Sequence, residues 1–393
     1  MSLIQGITSH PWFIPLVTTI GILAVVPLFI GYMSLLERKL LADFQARYGP
    51  MRVGPRGLLQ PIADGLKFLL KEDIVPARAE RALFFVAPVL GVAAALLGFA
   101  VLPYSATIFV ADVNVGLLVI ASVSALSVLG IILGGWASNS HYPLLGALRS
   151  TAQLVSYEVA LTLGLLASVM VAGTLSMKSI VEAQLDRHIW FLFSNYGGML
   201  VPFVVYLLAS IAETNRSPFD LPEAESELVA GYHTEFSGFR FALYMLAEWA
   251  NILVLAGVAV TLFLGGWLRP FPSIPAVGYL LDDVLPACVF AGIAVYCLRI
   301  WRTCYWRYEQ TIMLALVAMF TLVALAFLVP RIGLGLSGLW WFFFKLSVFI
   351  YVVIWLRATL PRLRYDQLMK LGWKWLIPLG LAGVALNAVL GLV

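Results

Sequence analysis

Ten apolar stretches of about 20 residues each alternate with polar loops along this chain. They fall at about 14–36, 82–103, 115–136, 154–176, 191–212, 241–264, 284–301, 311–329, 337–356 and 374–392. Each is long enough to cross a bilayer as a helix. None shows the strict alternation of apolar and polar residues that the strands of a membrane barrel require. A different periodicity marks the first long loop. Over 58–74, Leu58, Ile62, Leu66, Leu69 and Leu70 recur at helical spacing, while Gln60, Asp64, Lys67 and Lys71 fall on the other face. This predicts an amphipathic helix lying in the membrane interface, with Pro61 tolerated only in its first turn. Such a helix is either a surface anchor or one wall of a site at the membrane boundary. The expected fold is an all-α integral membrane protein of about ten transmembrane helices with an interfacial amphipathic helix. The third stretch carries Ala121, Ser124, Ala125, Gly130, Gly134 and Gly135. Small residues let helices approach closely in lipid, so this stretch is expected at the centre of the bundle. No internal repeat is visible, which argues against a transporter built from inverted halves.

Charge gives the chain a direction. Only 12% of residues are charged and 62% are hydrophobic, against about 25% charged in soluble domains. Twenty of the 25 Lys and Arg lie in one set of loops, 37–81, 137–153, 213–240, about 299–310 and 357–374. The other set holds Lys178, Arg187, Arg269 and Arg331, and Lys345 lies within a stretch. Basic loops stay on the cytoplasmic side, which predicts an even number of spans with both termini outside. The N-terminal stretch has no basic leader and no small-residue cleavage site, so it reads as a retained helix. Cys288, Cys297 and Cys304 form no CxxC pair and give no metal or cluster signature.

The candidate chemistry is acidic. Glu213, Asp220, Glu223, Glu225, Glu227, Glu235 and Glu248 lie on one basic-side loop and the edges of the spans that flank it. Glu158 lies about one turn inside the fourth span. Ionisable groups within a membrane cost about 2.5–3.5 kcal/mol each and are more often functional than ornamental. The plainer reading pairs each with an arginine or hydroxyl that holds helices together. Asp220 and Glu223, three apart beside Pro222, fit a capping box that simply starts a helix. Capping leaves the other acids unexplained. Burial and neighbouring like charge bring carboxylates toward titration near neutral pH, so a cluster of them can exchange protons.

Two basic motifs close the first and ninth spans. One is Glu37-Arg38-Lys39 with Arg47-Tyr48-Gly49-Pro50, and the other runs from Arg357 through Pro361 and Arg362 to Gln367. Anchoring at the basic face accounts for part of this. The rigid Pro and Gly spacing and Glu37 beside Arg38 suggest a shaped docking surface as well.

Together, the segments ERKLLADFQARYGP, RVGPRGLLQPIADGLKFLLKED, SYE, AETNRSPFDLPEAESELVAGYHTEFSG and LRATLPRLRYDQLMKLGWK resemble the quinone-chamber membrane subunit of respiratory complex I. That subunit is called H in bacteria and 1 in mitochondria. The resemblance covers roughly 14–267 and 337–393. It implies a multi-pass protein of the bacterial cytoplasmic membrane that seats the soluble arm and forms much of the chamber where a quinone, its substrate, is reduced. No group would be bound covalently. NAD and the iron–sulfur clusters would belong to partner subunits, and antiporter-like and small membrane subunits and lipid would surround it, with no nucleic acid. Glu37, Arg38, Arg47, Asp64, Lys67, Arg216, Arg357 and Arg362 match positions that line or shape the quinone path. Glu158, Glu213, Asp220, Glu223, Glu225, Glu227, Glu235 and Glu248 match acidic positions of a proton route, and Lys345 matches a lysine of the penultimate span.

Two departures stand out. Met51 occupies a position where the family usually has Asn. The segment at about 280–335 adds two helices to a family pattern of eight, dividing the chain into 1–279, 280–335 and 336–393. The added spans carry no His or acid, so packing against lipid or an accessory subunit is expected of them. Alternative readings are the homologous subunit of a membrane hydrogenase or of an F420H2- or ferredoxin-fed dehydrogenase, and, from another class, a stand-alone proton-coupled transporter.

Overall fold

The computed structural model describes residues 13–220, 229–270, 272, 274 and 277–391. Its helices are α1 (Phe13–Phe44), α2 (Gln60–Leu70), α3 (Arg81–Val101), α4 (Gly116–Ala137), α5 (His141–Ala172), α6 (Met177–Asp186), α7 (Leu200–Glu213), α8 (Gly238–Phe263), α9 (Leu285–Trp301), α10 (Arg307–Phe327), α11 (Pro330–Thr359), α12 (Tyr365–Lys370) and α13 (Ile377–Leu390). A π turn, Leu280–Val284, leads into α9, and another, Leu371–Leu376, joins α12 to α13 into one continuous span. Among the described residues no strand occurs and nine helices are long and apolar enough to cross a membrane; α7 is a shorter apolar tenth. The fold is the expected all-α membrane bundle.

Several boundaries move: α1 runs on to Phe44 rather than 36, and the last span begins at Tyr365 rather than 374. Two further moves bear on the site. The fifth span starts at Leu200 rather than 191, because 191–199 winds into short 3-10 turns in which Asn195, Tyr196 and Gly197 all have positive φ. The fourth starts at His141 rather than 154. Glu158 therefore lies near the middle of a 32-residue helix instead of one turn inside its end.

The axis of the bundle is α8, not α4. In their most apolar windows 89% of α8 is buried against 33% of α4. A helix that is apolar on every side belongs in the interior, and α8 from Ile252 to Phe263 has only Thr261 as a polar side chain. The small residues of α4 serve close approach to single neighbours. A Cβ on Gly130 would stand 3.0 Å from the Ala87 carbonyl oxygen of α3, and one on Gly134 would collide with the Tyr244 hydroxyl of α8, which donates to the Gly130 carbonyl at 3.2 Å.

Gly146 makes the approach that matters most for the site. A Cβ there would lie 2.7 Å from the Cα of Gly231, in the 3-10 turn Gly231–His233. Both sides of that contact are backbone, so neither yields easily. Gly146→Ala is expected to destabilise by about 1–3 kcal/mol through overpacking. It should be read as a lower melting temperature of the purified assembly; an unchanged melting curve would show that the turn is free to shift.

The amphipathic helix is present as α2, with Pro61 in its first turn. Ile62, Leu66, Leu69 and Leu70 are exposed on this chain, whereas Asp64 turns to α1. The predicted basic loops gather at one end of the bundle and are stitched to each other there. Asn139 Nδ2 donates to the Arg78 carbonyl at 3.1 Å, the Ile74 amide donates to Ser237 Oγ at 2.9 Å, and the Leu363 amide donates to the Pro218 carbonyl at 3.0 Å.

The hairpin α9–α10 packs along α11 and against the turn Pro55–Gly57. Cys297, Ile300 and Met313 form a small core that includes Leu58. Arg56 Nη1 donates to the Tyr296 hydroxyl at 2.8 Å. At the far end, Asp282 accepts from Arg269 Nη1 and from the Trp341 indole, both at 2.9 Å. The π turn Leu280–Val284 carries helical winding back past the expected start of α9, and α10 begins at Arg307 rather than 311, so Asp282 and Asp283 lie in that turn and Glu309 in the first turn of α10. The pair is thus not free of acid at its ends, and Asp282 fastens it to the bundle.

Candidate functional site

At the basic end, α1, α8 and α11 converge. Glu37 of α1 forms an ion pair with Arg357 of α11. These two side chains line a narrow cleft with Arg216, Trp249, Ile252, Ile350, Val353 and Ile354. Arg216 lies over the Trp249 ring, 4.9 Å from its centroid, and donates to Glu248 Oε2 at 3.2 Å. The Tyr232 hydroxyl donates to Glu248 Oε1 at 2.8 Å, and His233 Nε2 lies 3.2 Å from the same oxygen. Glu37, Glu248 and His233 are all buried. Charges this far from water persist only when paired and hydrogen-bonded.

The loop 214–220 that presents Arg216 is held by neutral polar side chains of α5. Gln153 Nε2 donates to the carbonyls of Ala212 (2.8 Å) and Phe219 (2.9 Å) and to Asn215 Oδ1 (3.2 Å). Asn215 Nδ2 reaches Ser150 Oγ at 3.2 Å. Asn215 has φ 51, a left-handed conformation that Asn tolerates better than most residues. The other side of the loop is pinned by Asp220, whose carboxylate accepts from Arg362 Nη2 at 2.9 Å. Burial pushes the Asp220 carboxyl above its usual range; the Arg362 guanidinium works against that rise, and Glu248 adds to it.

A second acidic pair lies between α7 and α5. Glu213 Oε1 accepts from Ser124 Oγ at 2.6 Å, and Glu158 is near enough to interact with it electrostatically. The other oxygen, Glu213 Oε2, is buried without a hydrogen-bond partner among the described residues. At the interfacial helix, Asp64 accepts from Arg38 at 2.7 Å and from Gln60 at 3.2 Å, with Lys67 at 3.5 Å. Partial burial alone would raise the Asp64 carboxyl, but the Arg38 and Gln60 hydrogen bonds and the two cations hold it below its usual range. Arg240 binds Asp73 at 2.8 Å and lies over Phe85, tying the start of α8 to the segment after α2.

Most of the predicted residues are brought together. Glu37, Arg216, Arg357 and Glu248 meet at the cleft; Asp220 and Arg362 pair beside it; Arg38, Asp64 and Lys67 form the interfacial cluster; Glu158 and Glu213 are neighbours. Arg47 is exposed in the turn after α1, and Glu235 is half-buried beyond the Gly231–His233 turn. Glu223, Glu225 and Glu227 lie outside the described residues. Lys345 sits at the opposite end of the bundle. Its ammonium donates to the carbonyls of Leu264 (2.6 Å), Gly266 (2.8 Å) and Leu268 (2.5 Å) and lies 4.4 Å from the Trp190 ring centroid. These carbonyls belong to the segment just beyond α8, beside the helix C-terminus, where a cation is electrostatically favoured. Gln153, Asn215, Tyr232 and Trp249 escaped the sequence reading. The available signal was polar amides and hydroxyls close to otherwise apolar stretches.

An open cavity of about 670 Å³ lies elsewhere, between α1, α11 and the segment 102–110. Its walls are apolar, with Phe29, Phe99, Phe109, Phe342 and Phe343 among them, so it offers nothing to orient a polar headgroup. No group of three or more metal-ligating side chains converges among the described residues.

A multi-pass helical membrane protein with a charged cleft at one end of its bundle is the class that this fold and site define. Residues 17–388 match the family model described as NADH dehydrogenase. The chain is 56% identical to the NADH-quinone oxidoreductase H subunit designated 2 of Solibacter usitatus (strain Ellin6076), across 99% of both chains. It is 45% identical to the H subunit designated 1 of Koribacter versatilis (strain Ellin345), across 96% of this chain and 92% of the relative. With the H subunit of Rhodospirillum rubrum it shares 42% identity across 91% and 88%. The chain belongs to this family, the membrane-embedded H subunits of NADH-quinone oxidoreductase, respiratory complex I.

Proposed function

We propose that this subunit forms the quinone-binding chamber of the enzyme and carries the acidic path by which quinone reduction drives proton translocation. The observation that carries the reading is the cleft where Glu37, Arg216 and Arg357 meet at the membrane boundary, with Glu248 directly behind Arg216. Reducing a quinone takes two electrons and two protons. Electrons arrive from an iron–sulfur cluster of a soluble-arm neighbour, and this chain supplies no redox centre of its own. Negative charge developing in a low-dielectric cleft is stabilised by Arg216 and Arg357 and makes nearby carboxylates better proton acceptors. Arg38, Asp64 and Lys67 on α1 and α2 shape the entrance, with Arg47 and Arg362 at its rim. Glu248, Asp220, Glu213 and Glu158, with Glu223, Glu225, Glu227 and Glu235 on the adjoining loop, pass the electrostatic change to antiporter-like partners. Lys345 completes the ionisable set at the far end. Both termini face away from the basic side, and the α9–α10 hairpin of 280–335 is an addition to an eight-helix core formed by 1–279 and 336–393.

The test is a photoreactive quinone applied to the complex purified through a tag on this chain. Labelling is expected within 37–67, 213–220 and 357–362, competed by an inhibitor that also blocks NADH-driven quinone reduction. Labelling confined to other subunits, or to the apolar cavity beside Phe342, would overturn the assignment of the chamber.

A further inference from the structure

The loop between α9 and α10 belongs to none of the sites above, yet it has an unusual surface. Arg299 lies in the last turn of α9, Arg302 follows that helix and Arg307 opens α10, and all three are exposed. None of the three pairs with a carboxylate among the described residues. Glu309 is the only acid within 299–310. Between the arginines, Tyr305 is 86% exposed and Trp306 59% exposed. Below this rim both helices present bare apolar faces, with Val295, Leu298, Leu314 and Leu322 exposed.

We infer that this loop is a binding site for an anionic phospholipid. The three layers match the three parts of that molecule in order. Arginines without internal counter-ions meet the phosphate, which they grip in a bidentate manner. Tyrosine and tryptophan rings settle at the level of the glycerol and carbonyl groups, where their amphipathic character is favoured. The exposed Val and Leu side chains lie along the acyl chains. Trp306, the residue before α10, gives no side-chain cap to that helix, so its first backbone N–H groups add to the attraction for an anion. The basic-face rule explains why arginines lie on this side. It does not require three of them to stay unpaired while Arg56, close by, is engaged by Tyr296. A soluble protein partner would bury Tyr305 and Trp306, but it has no use for the long apolar faces directly beneath them.

The experiment uses the whole complex in nanodiscs of phosphatidylcholine with or without one-fifth phosphatidylglycerol. Retained lipid is counted by mass spectrometry during stepwise detergent washing. The native complex is expected to hold phosphatidylglycerol in preference to phosphatidylcholine. Combining Arg299→Gln, Arg302→Gln and Arg307→Gln should cut that retention on the order of 100-fold, while the corresponding Lys replacements restore only part of it, because an ammonium keeps the charge but not the bidentate grip. Equal retention in the Gln variant overturns the site. A benzoylphenylalanine in place of Tyr305 gives a second readout that does not depend on the Gln variant assembling. A phospholipid adduct supports the proposal, and a protein adduct overturns it in favour of an accessory subunit.

Discussion

Glu248→Ala is expected to disable the protein. The side chain accepts hydrogen bonds from Arg216 and Tyr232 and contacts His233, in a place where both Glu248 and Arg216 are almost completely enclosed. Removing one partner of a buried ion pair leaves the other charge uncompensated, which costs about 3–5 kcal/mol. That is comparable to the whole stability margin of many folded domains, about 5–15 kcal/mol. The expected result is loss of most assembled complex and of all coupled quinone reduction. Glu248→Gln keeps a carbonyl oxygen that Tyr232 or Arg216 can donate to but, like Ala, removes the counter-charge of Arg216, so it should recover only part of the assembly and none of the activity. Blue-native gels and NADH-driven quinone reduction separate the two outcomes. If Glu248→Gln turned over normally, the carboxylate would be structural only.

Glu213→Gln, alone or with Glu158→Gln, should behave differently. Glu213 takes one hydrogen bond from Ser124, which a glutamine can accept equally well, so assembly is expected to persist. Its second oxygen has no donor among the described residues, which suits a group that receives a proton. Proton transfer by a positioned side chain typically contributes about 10²–10⁴-fold to a rate. We therefore expect coupled turnover to fall on the order of 100-fold. Quinone reduction and acidification of sealed vesicles, measured on the same preparation, check this. Normal turnover and pumping in the double variant would remove these two residues from the path.

The spans and the principal acids were legible because lipid makes charge expensive. An uninterrupted apolar run, or a glutamate inside one, stands out against that cost. Neutral amides cost less and stand out less, so Gln153 and Asn215 passed unnoticed although they fix the loop that carries Arg216. Their partners are also remote: Gln153 holds the carbonyl of Phe219, 66 residues away. The Arg357–Glu37 pair joins the ninth span to the first, and no local pattern announces such a pairing. The misplacement of α4 has another cause. Small residues report how closely one neighbour comes, and α4 meets α3 very closely at Gly130, but they do not report on how many sides neighbours lie. All-round apolarity does report that, and it marks α8. The late start of α7 rests on the left-handed conformations at 195–197, which Asn and Gly permit and which a hydropathy pattern cannot register.

Lys345 and the far half of α8 have an electrical consequence. Between Ile252 and Phe263 the helix has Thr261 as its only polar side chain, and beyond it the ammonium is locked onto three carbonyls. Within this chain that half is an insulator, whereas the half holding Glu37, Glu248 and Asp220 is polarisable. A voltage across a layered medium drops mainly over its least polarisable layer, and each elementary charge crossing the full drop exchanges about 2.3 kcal/mol per 100 mV. If the acidic path proposed above operates, its carboxylates sit close to the potential of the basic face, and protonating them from that face does little work against the field. On that proposal the electrical work of translocation would fall to neighbouring chains, with this one acting as their trigger.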